Sequence, residues 1–473
     1  MSNLENSTAS SLPSYITSAV PNPASNRGPW FKNTAPTYAG IFLWFVFWDS
    51  MSGNGLSVGG LAPTLLGIIL GGVICYALFY LVPGTLGMQT GLPLYVVGTS
   101  TFGAAGGLIM PGFLMGALQF GWLGVNTWGS SHALADGFHA PSLYVPLCVI
   151  WTLLAAFVGL KGIQYVAKVA TYLPLIPVVV LIMGLVLFAG SAGSYTPPAA
   201  TTGSGNGGVQ AMLVMIAAIV GFFATAGAAG VDICSNNRDK KDVSMGGIVG
   251  IIIAIMFTAG ISVIAVAGAR AAGIIDPSVN NMTVALSKKL SPGLYAAVMI
   301  GLTLASFPGA CFSSFIAANS FKTVMPKVNP FVSVGIGAIV SMILAITGAA
   351  GNLPSVFGLI GASFGPICGA MLVDYLLAGG KWNGPRSGFN PAGWIAWAVG
   401  FVAGILPNPI VPEVIRPNVP FGPAASFIGV DKLWTLLCMS CAPVTAFIVG
   451  AVVYFVCAKI GMLSATVPMP AKK

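Results

Sequence analysis

Apolar runs of about 20 residues recur along almost the whole chain, and no other feature constrains its fold as strongly. Each run is long enough to cross a hydrocarbon layer of ~30 Å as a helix. Charged residues make up only 6% of the 473, against the ~25% that a soluble domain carries. Hydrophobic residues reach 56% and the mean hydropathy is +0.91, which excludes a water-soluble protein of this length. The runs do not alternate in the ~10-residue segments of a membrane β-barrel. The sequence therefore predicts an all-α polytopic membrane protein with about twelve spans. They are expected at 38–57, 61–83, 106–132, 142–160, 165–190, 209–234, 245–272, 292–320, 329–349, 353–378, 390–407 and 433–459.

One membrane domain, residues 38–460, fills the chain. Residues 1–37 are rich in Ser, Asn and Pro and lack the short apolar core of a signal peptide, so they read as a disordered cytosolic tail, and 461–473 read as a cytosolic C-terminal tail. With the N-terminus inside, only Arg270, Lys288, Lys289, Arg416 and Lys432 of the 19 Lys and Arg face outward. That bias puts both termini in the cytoplasm, as in a plasma-membrane or inner-membrane protein. The net charge of +9 is thus a topology signal, and no basic stretch interleaved with aromatics points to nucleic acid. Two loops stand out. Residues 190–208 read as a flexible connector, and 408–430, with Pro409, Pro412, Pro417 and Pro420, as a rigid extended excursion.

Enzyme chemistry finds no foothold. Cys438 and Cys441 form a C-x-x-C inside an apolar span, and with the other six cysteines they read as small buried hydrophobes. His132 and His139 flank Asp136 in a loop, too few ligands for a metal centre. There is no G-x-x-x-x-G-K-[ST] phosphate cradle for ATP, no sign of a cofactor, and no sign of an obligate protein partner. What remains is the acids inside spans, which are costly there and functional by default. They are Asp49, Asp232 and Asp374, and Asp49 lies deepest.

Glycines cluster in two spans at matching positions. Span 1 contains "SMSGNGLSVGG" and span 6, five spans later, contains "GFFATAGAAG". Broken helices at corresponding places in two halves are the mark of inverted repeats in transporters. An odd number of spans per repeat turns the second copy upside down, so spans 1–5 and 6–10 are expected to form an inverted five-helix repeat, with two extra spans after it. At each break, exposed backbone amides and carbonyls would meet a polar substrate or a cation at mid-membrane.

Three stretches, "LQFGWLGVNTW" (118–128), "VGFFATAGAAGVDI" (220–233) and "PICGAMLVDYLL" (366–377), resemble the nucleobase:cation symporter family, and its cytosine permease branch above all. The likeness spans roughly residues 35–380. It implies alternating access and a planar heterocycle held between aromatics of spans 3 and 6. Carried over by position, Trp122 is the stacking indole, Gln119 the reader of the base edge, Phe223 the second aromatic, and Phe222 the contributor of backbone. A carboxamide supplies both donor and acceptor to an amide-like base edge. Asn126, seven residues after Gln119, shares its helical face.

Span 8 departs from that branch. The family's base-reading asparagine falls on Thr303, and its two sodium-binding threonines fall on Ser306 and Phe307, with Ser313 and Ser314 a turn or two further on. Asp49 stands where the branch has a small neutral residue, beside Ser50 and Met51. The resemblance therefore implies import of a nucleobase-like compound coupled to Na⁺ or H⁺. Asp49, Ser50 and Ser306 are expected at the coupling ion, and Ser52 and Gly53 join the substrate site. Two other readings stay open: an amine or amino-acid permease with Asp49 as counter-ion, and a passive channel.

Overall fold

The computed structural model describes residues 12–162, 164, 166, 168, 170, 172–198, 207–408, 411 and 441–469. Local sequence sets many of its helix ends. Ser291, Asn329 and Asn352 each cap a span with a side-chain oxygen, and a proline follows within two residues, where its missing N–H leaves nothing unpaired. Gly60, at φ +81°, turns the chain from span 1 into span 2, a conformation that a Cβ would strain.

Nine helices among the described residues are long and apolar enough to cross a membrane. They are Leu61–Thr90, Leu108–Gly137, Pro141–Lys161, Leu175–Ser194, Gly207–Ala228, Lys240–Ala271, Pro292–Val324, Leu353–Leu377 and Ala442–Lys459, corresponding to spans 2–8, 10 and 12. Shorter apolar helices, Pro330–Ile346 and Pro391–Ile405, are spans 9 and 11. Span 1 is split into Thr34–Phe42, Phe45–Ser50 and Ser52–Gly59. No strand occurs among the described residues, only two isolated bridges.

The spans pack into two bodies. Spans 1, 2, 6 and 7 contact one another, as do spans 3, 4, 8 and 9, while spans 10–12 form a third group that touches span 6. Each four-span body holds pairs five apart in sequence, the arrangement expected of the inverted repeat. A second sign is local. Spans 2 and 7 each carry one wide helical turn, Cys75–Tyr80 and Ile248–Ile253, and the two turns pack against each other.

Two expectations need revision. Residues 12–37 are not a disordered tail but are strapped to the end of span 2 and to the connection between spans 6 and 7. Ile16 is fully buried, the Arg27 guanidinium donates to the Met88 carbonyl at 2.6 Å, and the Asn22 amide donates to Asn236 at 3.0 Å. The sequence missed this because the anchors are scattered polar side chains with no periodic pattern. Span 5 also begins at Leu175, ten residues later than expected, after the turns at 172–174. Cys438, most of the 408–430 excursion and part of the 190–208 connector lie outside the described residues.

Candidate functional site

A cavity of about 1420 Å³ separates the two bodies, walled by spans 1 and 6 on one side and 3 and 8 on the other. Its inner end is lined by Trp44, Gln119, Trp122, Asn126, Phe222, Thr225 and Ser306. Lys32, Lys322 and Asp232 line it toward the side that carries the N-terminal segment.

The helix breaks differ from those expected. Span 1 opens at Leu43–Trp44, where Trp44 turns extended (φ −62°, ψ 120°) and the Leu43 carbonyl is taken by the Trp48 indole at 3.0 Å. Span 1 is also interrupted at Met51, but Gly55 and Gly59 lie inside the helix Ser52–Gly59 and serve close packing. A Cβ on Gly59 would stand 2.7 Å from that of Ala211, and one on Gly55 would stand 3.0 Å from the Met215 Cγ, both on span 6. In span 6 only Ala229 interrupts the helix, between Gly227 and Gly230. Just before it, the Ala226 carbonyl accepts from the Tyr38 hydroxyl at 3.0 Å, which ties span 6 to span 1.

Span 3 supplies three side chains on one face. Gln119 is buried, and among the described residues its carboxamide has a single weak partner, the Met115 sulfur at 3.7 Å from Nε2. It is therefore poised to bond something in the cavity. Three residues on, the Trp122 indole N–H donates to Thr225 Oγ1 at 3.2 Å, which fixes the ring against span 6. Asn126 is wholly engaged. It donates to the Ser306 carbonyl at 3.1 Å and accepts from Ser130 and from the Trp151 indole, so it clamps spans 3, 4 and 8 together.

The two phenylalanines exchange roles. Phe222 presents its ring to the cavity, edge-on to Trp122 at 5.2 Å between centroids and stacked with Trp44 at 6.2 Å. Phe223 has no exposure and stacks on Phe42 behind the site. A helix advances about 100° per residue, so adjacent positions cannot both face the cavity, and a motif match one residue out of register inverts them. Nor is the expected sandwich preformed. Phe223 is packed away from Trp122, and the span 6 ring that does meet Trp122, Phe222, stands edge-on to it rather than parallel across a gap.

Of the hydroxyls, only Ser306, Thr225 and Ser313 among those considered border the cavity. Thr303 donates to the Met299 carbonyl at 2.8 Å and Ser50 to the Val46 carbonyl at 2.7 Å, each satisfied within its own helix. Ser52 faces Ser262 of span 7 at 3.4 Å. Gly53 lies in the helix backbone, and its surroundings are outside the described residues. Phe307, in place of the second threonine, packs on Trp151, and Ser314 bonds its own helix.

Asp49 does not line the cavity. Its carboxylate accepts from the Thr283 amide (2.8 Å), the Thr283 hydroxyl (2.6 Å) and the Asn281 amide (3.0 Å), at the start of the short helix Met282–Ser287 between spans 7 and 8. Arg270 grips the same connection, donating to the Val279 carbonyl at 2.9 Å and to Asn280 at 2.6 Å, and reaches Ser57 of span 1. Next to it, Ser278 donates its hydroxyl and amide to Asp276, which holds that carboxyl below its ordinary pKa. The two buried charges at this end are thus spent on one loop.

Asp374 is likewise structural. It pairs with Arg386 at 3.2 Å and accepts from Tyr454 at 2.8 Å and from Ser100. Asp232 borders the cavity, but its carboxylate caps the turn at Leu94, 3.0 Å from that amide. His132 stacks on Tyr144, and no group of three His, Cys, Asp or Glu suited to a metal occurs among the described residues. Trp44 and Thr225 were missed. Thr225 sits inside the span 6 motif and Trp44 at the break itself, but only the packing brings the two around Trp122.

No protein-family model matches the chain, and no curated protein matches it significantly in sequence. Among solved structures it is similar to Mhp1, a nucleobase-cation-symport-1 family transporter, in a closed conformation with bromovinylhydantoin bound. That likeness has 18% identity, 96% of this chain and 98% of that one, and a TM-score of 0.60. Against the inward-facing conformation of Mhp1 the figures are 17%, 94% and 95%, with a TM-score of 0.68. A substrate-bound, outward-open Na⁺-coupled sialic acid symporter gives 14%, 93% and 92%, with a TM-score of 0.56. At these identities the likeness is one of fold, and the chain shares the all-helical fold of these membrane symporters.

Proposed function

We propose that this chain is a secondary transporter, a symporter that carries a neutral planar heterocycle such as a nucleobase, coupled to Na⁺ or H⁺, by alternating access. One observation carries the reading: the inner end of the cavity is uncharged and combines an under-bonded carboxamide, Gln119, with the aromatic faces of Trp122, Phe222 and Trp44. Aromatic faces reward any planar ring, at about 1–3 kcal/mol per base, and the carboxamide supplies edge complementarity. The bromovinylhydantoin bound to Mhp1 is also a planar ring, which supports the class of cargo without naming it.

The cavity borders Lys32 and Lys322, on the side that the Lys and Arg bias assigns to the cytoplasm. The connection between spans 7 and 8, which that bias places on the opposite side, is held down on span 1 by Asp49 and Arg270. We read the arrangement as inward-open, with the chain in a plasma or inner membrane and no protein or nucleic-acid partner needed. Asp49 acts as a clamp on that outer loop. An ammonium substrate among Gln119, Trp122 and Phe222 would find no counter-ion beside it, since the lining carboxylate, Asp232, lies toward the lysine end and caps Leu94, which weighs against the amine permease. A two-body arrangement closed at one end weighs against a passive channel. The coupling ion is expected near Ser306, between span 8 and the break in span 1.

A thermal-shift screen of the purified protein against uracil, cytosine, hypoxanthine, hydantoin and simple amines, with and without sodium and at several pH values, tests this. A bound heterocycle raises the midpoint by linkage. A rise with amines alone would refute the reading.

A further inference from the structure

We propose that Trp44 is a specificity-determining residue whose indole N–H donates a hydrogen bond to a carbonyl oxygen on the ring of the cargo. The inference rests on the heterocycle reading above and adds to it the polarity of one edge of the cargo.

Four buried side-chain atoms lack a hydrogen-bond partner among the described residues: Trp44 Nε1, Ser131 Oγ, Asn237 Nδ2 and Ser355 Oγ. Only Trp44 belongs to the wall of the cavity. An indole nitrogen is a donor and nothing else, so the missing partner is an acceptor. Leaving such a group buried and unpaired costs about 1–3 kcal/mol, which a fold does not normally carry without compensation.

The neighbouring tryptophan supplies the contrast. Trp122, at 6.1 Å between ring centroids, has its own N–H satisfied by Thr225. Of the two indoles at the site, one is held by the protein and offers its face, and the other is left with a free donor. Trp44 is placed for this by the break in span 1: its extended backbone takes it out of the helix, and its ring stacks on Phe222 beside Gln119. The nitrogen itself lies beneath the cavity surface, so a cargo resting beside the carboxamide of Gln119 gains this donor when the Trp44 ring turns toward it as the site closes. A site whose buried donor needs an acceptor rejects ligands that lack one far more sharply than an apolar wall does.

The test compares hypoxanthine with purine, which lacks its carbonyl, alongside uracil, cytosine and hydantoin. Binding is measured on the wild type and on Trp44→Phe, which keeps an aromatic face and removes the N–H. The wild type is expected to prefer hypoxanthine over purine by roughly tenfold, the worth of one such bond. In Trp44→Phe that preference collapses as hypoxanthine weakens and purine does not. Should Trp44→Phe fail to fold, the wild-type comparison still decides: equal binding of the two probes overturns the inference. It is also overturned if Trp44→Phe keeps the preference while Gln119→Ala or Trp122→Ala lowers binding, and the heterocycle reading then survives. If none of the carbonyl compounds binds the wild type, that reading fails and takes this inference with it.

Discussion

The Asp49 carboxylate takes both the backbone amide and the hydroxyl of Thr283, at 2.8 and 2.6 Å, and so pins the start of a loop helix to the middle of span 1. A charge in a span that is met by three donors is a structural clamp, because every lone pair it turns toward the loop is used. Removing it strands buried donors. Asp49→Ala is expected to cost about 2–4 kcal/mol and to lower the thermal midpoint. Asp49→Asn, which keeps one carbonyl acceptor, is expected to cost less. In both, the sodium and pH dependence of uptake stays as in the wild type. A changed ion dependence in Asp49→Asn would return the residue to the coupling site.

Phe222 and Phe223 separate binding from stability. Phe222→Ala removes a face of the cavity and is expected to weaken heterocycle binding about tenfold or more, with a modest change in midpoint. Phe223→Ala empties a fully buried position and is expected to cost about 3–5 kcal/mol, leaving the affinity of the folded fraction nearly intact. Ligand titration and thermal melts on the two variants check this.

Thr225 is expected to act through Trp122. Thr225→Val keeps the shape and deletes the acceptor at 3.2 Å from the indole nitrogen. Binding should weaken by roughly threefold to tenfold as the ring loses its anchor. Trp122→Phe in the Thr225→Val background should add less than it does alone, since the two act as one unit. Full additivity in that double-mutant cycle would separate them.

The Arg386–Asp374 pair is expected to be costly to break and cheap to replace. Arg386→Ala leaves a buried carboxylate held only by hydroxyls and should cost about 3–5 kcal/mol. Adding Asp374→Leu to it should recover part of the loss. Melting curves of the single and double variants decide the point.

Much of the architecture was legible because hydrophobic length is a property of the chain alone. The five-span periodicity was legible too, and its reason held in part: the helices are interrupted at Met51 and Ala229, inside the two expected stretches. Gly55 and Gly59 read as a break and are packing contacts with span 6, whereas the real opening falls at Leu43–Trp44, in a stretch of large apolar residues. Glycine permits both outcomes, and only the neighbouring helix decides between them. Gln119 and Trp122 came from the family resemblance and Asn126 from the helical face it shares with Gln119, and all three line the cavity. Phe222, Thr225 and Trp44 depend on how three spans are rotated against one another, which no single-span pattern encodes. What holds Asp49 was hidden for the same reason: its partners lie more than 230 residues away in sequence.

Counterflow in proteoliposomes tests the central claim most directly, because exchange of labelled against unlabelled cargo requires a binding site that faces each side in turn. Vesicles loaded with unlabelled uracil, cytosine, hypoxanthine or hydantoin are diluted into the same compound in labelled form. The account predicts transient accumulation of label for at least one of them, and its loss in Gln119→Ala and Trp122→Ala. Absence of counterflow with all four, or counterflow that survives both substitutions, would contradict it.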